Sequence, residues 1–172
     1  MKVLGLIPSR MGSQRLPTKA LLPISGLPLV VHTYRRANLS KHLNKILICT
    51  DSKKIASTAK KYKAKAILTS SYHRNGTERI AEAYVKEGNN YDLVIDIQGD
   101  EPLISPYHID EVIKYHKKNK DADIILPTLK LKFPDNPNIV KVVTNKKNEV
   151  LYLSRSKIPY EAKSKCKFFL KH

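Results

Sequence analysis

Short apolar runs alternate with amphipathic segments over the first 127 residues, and this alternation restricts the fold more than any other feature of the chain. Residues 3–8, 45–50, 64–69 and 93–97 are apolar runs of strand length, without the polar alternation of a half-exposed strand. Between them lie segments of helical period. Val30, Val31, Tyr34 and Ala37 recur at helical spacing after Pro28, a residue suited to a first turn. Ile55, Ala56, Ala59 and Tyr62 follow Asp51, and Ile80, Ala81, Tyr84 and Val85 follow Thr77; both leading residues are good helix caps. Gly88 marks a stop, and Ser105-Pro106 opens a last helix with Ile109, Val112 and Ile113 inward. Strands buried on both faces and joined by helices make an α/β fold, a mostly parallel sheet with helices on both faces. Residues 123–127 and 140–143 are further strand candidates. Residues 150–153 pair with the latter as a hairpin across 145–148. No internal repeat or linker interrupts the 172 residues, so a single domain, 1–172, is expected.

Composition narrows the class. Hydrophobic residues are 41% and charged ones 27%, enough for a packed core. No apolar run approaches the roughly 18 residues of a membrane span, and residues 21–31 are broken by Pro23, Gly26 and Pro28. The apolar start at 3–7 is too short for a signal-peptide core, so a cytoplasmic protein is expected. Cys49 and Cys166 are too few for a disulfide scaffold or a cysteine zinc site. The net charge of +17 invites a nucleic-acid reading, but 25 of the 32 basic residues are lysines and no zinc-finger or RNA-binding motif accompanies them. A basic domain that binds nucleic acid through its lysines stays as an alternative. Distribution is more telling than the sum: the first acidic residue is Asp51, so eight cations from Lys2 to Lys45 precede any carboxylate. Such a surplus suits a polyanion, a nucleoside triphosphate included.

In parallel sheets ligands bind beyond the carboxyl ends of the strands, which selects three polar segments. The first runs from Pro8 and Ser9 through Arg10, Gly12 and Arg15 to Lys19. Its small residues allow backbone N–H groups to approach a phosphate, and its cations can neutralise a departing pyrophosphate. A solvated basic loop would read the same way, and the spacing of a Walker A loop is absent. The second, Gln98-Gly99-Asp100-Glu101-Pro102, sets a carboxylate just past a strand, where it can hold Mg²⁺ against phosphate oxygens or simply cap a turn. Asp96, inside the strand, reads as structural. The third, from Tyr72 to Arg79, places Gly76 and Thr77 at a helix N-terminus, either an anion or base-carbonyl site or a plain cap.

Together these strings, with Asn138-Ile139-Val140-Lys141-Val142-Val143 and Tyr152-Leu153-Ser154-Arg155-Ser156-Lys157-Ile158-Pro159, resemble the 3-deoxy-manno-octulosonate (Kdo) cytidylyltransferases, the CMP-Kdo synthetases. The resemblance runs from residue 2 to the end. Sialic-acid cytidylyltransferases share the opening loop loosely but lack the Gln-Gly-Asp-Glu-Pro and Gly-Thr-Glu-Arg strings.

The resemblance implies a nucleotide-diphospho-sugar-transferase fold, a homodimer, and the reaction CTP + Kdo → CMP-Kdo + diphosphate in lipopolysaccharide precursor synthesis. It implies Mg²⁺ as cofactor, held by Asp100. Arg10 and Lys19 would grip the triphosphate with help from Arg15, while Pro8, Ser9, Gly76 and Thr77 border the nucleotide. Gln98 and Arg155 would face the sugar, and the CTP part would lie mainly in 1–105. An 8-amino-Kdo substrate is the alternative within the same chemistry. Two departures stand out: Thr18-Lys19-Ala20 replaces the usual Gly-Lys-Pro, and Ser70 replaces an arginine whose contact is either lost or taken over by Arg74. Family members also continue for several dozen residues beyond the string matching Phe169-Leu170-Lys171-His172. On that basis the chain is expected to keep the CTP half of the site, to lack much of the sugar half and to turn over poorly. The apolar trio Phe168-Phe169-Leu170 reads as strand.

Overall fold

The computed structural model describes residues 1–12, 16–131, 136–156, 158 and 169–171. The chain divides into two compact units, Met1–Lys117 and Lys118–His172.

The first unit is built on a parallel sheet. Its strands are β1 (Val3–Ser9), β4 (Lys45–Thr50), β5 (Ala66–Leu68) and β6 (Leu93–Asp96), in the order β5-β4-β1-β6. A small hairpin, β2 (Pro23–Ile24) and β3 (Leu27–Pro28), lies between β1 and the first helix. It turns through Ser25 and Gly26 at φ 46° and 82°, a left-handed pair of the kind that matches strand twist. Helices α1 (Leu29–Ala37), α2 (Lys53–Lys61), α3 (Gly76–Lys86) and α4 (Pro106–Lys118) complete the unit.

Side chains of β1 divide the core in two, because alternate residues of a strand point to opposite faces. Val3 and Ile7 pack with Val30, Val31, Ile55, Ala59, Ile109 and Ile113 under α1, α2 and α4. Leu4 and Leu6 pack with Leu47, Cys49, Ile80 and Ala83 under α3. Both sets are inaccessible or nearly so, which explains the continuous apolar run of β1. Each such Leu or Ile contributes about 1.5–3 kcal/mol by leaving water. Burial also raises the Cys49 thiol to about 12, so it stays protonated.

The chain steps from β1 outward to β4 and β5, then returns to the other side of β1 as β6. The direction of winding thus reverses between β1 and β6. Ile7 pairs in register with Ile48, and Leu6 with Asp96, so the carboxyl ends of β1 and β6 lie side by side at the reversal. That is where an open α/β sheet leaves a crevice for a ligand.

Two helix starts differ from the sequence expectation. Ser52, not Asp51, caps α2, its side chain accepting the Ile55 N–H. Asn75, not Thr77, caps α3: its Oδ1 accepts the Glu78 N–H at 2.9 Å, while Glu78 Oε2 accepts the Arg74 N–H at 2.8 Å. This is a variant of the reciprocal capping box. The turn after α1 is held from α4 by the buried Asp110, which accepts from Ser40 Oγ and from the N–H groups of Lys41 and His42. Burial raises the Asp110 carboxyl, but these donors outweigh it and hold the group below its ordinary value.

The second unit contains an antiparallel sheet of β7 (Leu129–Leu131), β8 (Lys141–Thr144), β9 (Val150–Ser154) and β10 (Phe169–Lys171), ordered β7-β10-β8-β9. The expected hairpin is present as β8-β9, turning through Asn148 at φ 64°. Of the trio 168–170, Phe169 and Leu170 lie in β10, and Phe168 is outside the described residues. Residues 123–127 form no strand; Ile124 is 82% exposed there and the strand begins at Leu129. Among the described residues no helix is long and apolar enough to cross a membrane.

Candidate active site

Pro8, the last residue but one of β1, is the point where the three polar segments meet. A Cβ added at Gly76 would sit 3.4 Å from Pro8 Cγ, so the first turn of α3 packs on the proline ring. A Cβ added at Gly99 would sit 2.8 Å from the Pro8 carbonyl oxygen, closer than real Cβ contacts come. Glycine at 99 is therefore required by the close approach of the β6 turn to β1. From the other side, Thr33 of α1, fully buried, donates its hydroxyl to the Gly99 carbonyl at 3.2 Å. Nothing in the local sequence announced Thr33, because its partner lies 66 residues away.

The clamped turn carries Asp100 to the mouth of the crevice. There Lys19 Nζ donates to Asp100 Oδ2 at 2.6 Å, with side chains 35% and 49% exposed. Lys19 opens a 3-10 turn, Lys19–Leu21. The preceding loop is closed where the Thr18 N–H, at φ 56°, donates to the Met11 carbonyl at 3.3 Å. Ser9 is buried at the end of β1, and Arg10 next to it is exposed.

At the third segment, α3 presents Arg79, Glu82 and Lys86 along one face to the end of β5. Arg79 is only 3% exposed; it pairs with Asp51 at 2.9 Å and donates to Thr69 Oγ1 at 2.6 Å and to the Ser70 carbonyl at 3.2 Å. Glu82 accepts from Lys86, the Ser70 N–H and His73, which together hold its carboxyl down at about 2. Lys86 also donates to the Leu68 carbonyl at 3.0 Å. The N–H groups of Gly76 and Thr77 lie in the first turn, which has no intrahelical acceptors. Arg74, the residue weighed as a substitute at position 70, is exposed and donates its backbone N–H to Glu78.

Thus the structure brings Pro8, Gly76, Asp100 and Lys19 together, with Ser9, Arg10, Thr77 and Gln98 adjacent to them in the chain. Gln98 is exposed, its Nε2 at 3.4 Å from Asp96 Oδ2. Arg15 lies outside the described residues. Arg155 belongs to the second unit, where its guanidinium donates to the carbonyls of Pro137 and Asn138 at 3.3 and 3.2 Å. Its own carbonyl accepts from the buried Lys141 at 2.6 Å.

Among the described residues no cluster of three or more His, Cys, Asp or Glu side chains forms a metal cage. Asp100, a single half-exposed carboxylate beside a cation-bearing loop, does fit Mg²⁺, which takes one or two carboxylates and completes its shell with phosphates and water.

Similar proteins sharpen the chemistry. The family model described as cytidylyltransferase matches residues 4–172. A 3-deoxy-manno-octulosonate cytidylyltransferase of Thermodesulfovibrio yellowstonii is 42% identical over the whole chain, which spans 71% of that relative. An 8-amino-3,8-dideoxy-manno-octulosonate cytidylyltransferase of Shewanella frigidimarina is 39% identical over 93% of the chain and 67% of its own length. The solved structure of a CMP:2-keto-3-deoxy-manno-octonic acid synthetase complexed with CTP superposes on the whole chain with a TM-score of 0.86 at 34% identity, 71% of that chain being covered. The chain thus spans about two thirds of the length of the relatives it matches. With a match this long and this similar, the chain belongs to the cytidylyltransferase family.

Proposed function

We propose that this protein activates Kdo: CTP + 3-deoxy-manno-octulosonate → CMP-Kdo + diphosphate. The observation that carries the reading is the convergence of the Pro8, Gly76 and Gly99 segments at the strand-order reversal, with Lys19 and Asp100 at its mouth. A crevice of that kind, floored by tight backbone and rimmed by cations, suits a triphosphate and its developing charge. The nucleotide part of the site lies mainly in residues 1–105.

Transfer of the cytidylyl group needs the α-phosphorus presented in line to the sugar's anomeric hydroxyl and charge neutralised on the leaving diphosphate. Arg10 and Lys19 grip the β- and γ-phosphates and stabilise the diphosphate as it departs, with Arg15 assisting. Pro8, Ser9, Gly76 and Thr77 border the cytidine, the first-turn N–H groups of α3 offering donors to the base or to phosphate oxygens. Gln98 faces the sugar. Asp100 would hold Mg²⁺, which would supply Lewis-acid neutralisation of phosphate charge when bound. For this to occur, Lys19 exchanges Asp100 for phosphate oxygens.

A second reading within the same chemistry, an 8-amino-Kdo substrate, is favoured by the 39% identity to a relative of that name. The test is diphosphate release and CMP-sugar formation with CTP, Mg²⁺ and either Kdo or 8-amino-Kdo. Product with Kdo in preference supports the first reading, and preference for the amino sugar supports the second. Product with neither, from a folded chain, overturns activity for these 172 residues.

A further inference from the structure

Among the described residues of the first unit the Arg79 guanidinium is a deeply buried cation, 3% exposed, and the residues it joins are not those of its own helix. It connects Asp51, just past β4, to Thr69 and Ser70, just past β5, from a position three residues beyond the start of α3. Two segments that leave the carboxyl edge of the sheet are thereby tied to α3 through one fixed, permanently charged group. Removing any partner would leave a buried charge short of an acceptor, so the arrangement holds together as a unit.

We propose that Arg79 is a positioning residue: through Asp51 and Thr69 it fixes the segment 69–77, and so sets how tightly the site binds the nucleotide. This rests on the reading of Gly76 and Thr77 as nucleotide-bordering. The geometry favours positioning over contact. Arg79 is 3% exposed and turned toward β5, whereas Gly76, one helical turn earlier, packs on Pro8 at the crevice. Glu82 and Lys86 continue the same face and secure Ser70, His73 and Leu68, so segment 68–73 is held along about two turns of α3. Loss of a purely structural buried ion pair would lower the melting temperature alone. Loss of a positioning pair also weakens ligand binding well below that temperature, because the N-terminal turn of α3 and the loop before it must be ordered at the moment of binding.

The test uses Thr69→Val, which keeps the side-chain shape but removes the acceptor, and Thr69→Ser, which restores the hydroxyl. Two readouts are taken far below the melting temperature. Amide hydrogen exchange without nucleotide is followed across residues 69–77, and CTP is titrated calorimetrically in Mg²⁺. We expect Thr69→Val to speed exchange in that segment while β1 is unchanged, and to weaken CTP binding about tenfold. Thr69→Ser should recover both. Unchanged exchange in Thr69→Val overturns the positioning role, whether or not CTP binds. Faster exchange with unchanged CTP affinity overturns the link to binding. Absence of CTP binding by the unsubstituted chain refutes the functional reading instead, and the exchange result still decides whether Arg79 orders the segment.

Discussion

The ion pair between Lys19 and Asp100 gives a prediction whose sign is not obvious. Both groups are expected to serve the triphosphate, yet without nucleotide they serve each other at 2.6 Å. Binding metal-free CTP therefore first requires this pair to open, and it leaves the Asp100 carboxylate next to a polyanion. Asp100→Asn removes the charge and keeps the shape. With side chains 35% and 49% exposed the pair is solvent-screened, so its strength is that of a surface ion pair, about 0.2–1 kcal/mol. Releasing Lys19 should then tighten metal-free CTP binding up to about fivefold. Calorimetric titration in EDTA and in Mg²⁺ reads both sides of the exchange. In EDTA the variant should bind CTP more tightly than the unsubstituted chain, and the advantage should shrink at high salt. In Mg²⁺ it should bind no more tightly than in EDTA, whereas the unsubstituted chain gains. Equal or weaker binding by Asp100→Asn in EDTA would refute the exchange.

The remaining predictions concern what holds the site in place. Gly99→Ala puts a Cβ 2.8 Å from a backbone oxygen, and neither neighbour can move aside; thermal unfolding should show a loss of about 1–3 kcal/mol, with weaker CTP binding as Asp100 shifts. Asp110→Ala strips acceptors from Ser40 and two backbone N–H groups in a buried turn, costing about 1–3 kcal/mol in urea unfolding, with less loss for Asp110→Asn. Glu82 titrates at about 2 in the folded chain, below its ordinary 4.5. Its contribution is thus fully present above pH 4.5 and lost as pH falls toward 2. The stability difference between the unsubstituted chain and Glu82→Gln should therefore be largest near neutral pH and shrink below pH 4.5; a difference independent of pH would show that the charge is not what stabilises.

How far the sequence could be read depended on whether a residue's partner was local. Strands β1 and β4 were legible because each is covered on both faces, which leaves an apolar run that only a buried strand explains; β6, at the edge of the sheet, keeps an apolar run though only half-buried. The cap of α3 was also legible in principle: Asn75 and Glu78 are three apart, the spacing of a capping box, although Thr77 looked equally able to cap. Asp51 reads locally as a cap, and only Arg79, 28 residues on, draws it away and leaves the role to Ser52. Residues 123–127 have strand composition but are not part of a strand, and composition carries no information about which segments pair. Gly99 was recognisable as a turn residue, but its real constraint is the Pro8 carbonyl on another strand. The Lys19–Asp100 pair spans 81 residues and could not have been seen at all.

The central claim, a cytidine triphosphate site at the β1–β6 reversal, is tested most directly by titrating CTP and ATP in parallel into the unsubstituted chain in Mg²⁺. The account predicts saturable binding of CTP and clearly weaker binding of ATP, since the rim of cations serves any triphosphate while the tight Pro8–Gly76 border selects the base. Absence of CTP binding, or equal affinity for the two nucleotides, would contradict it.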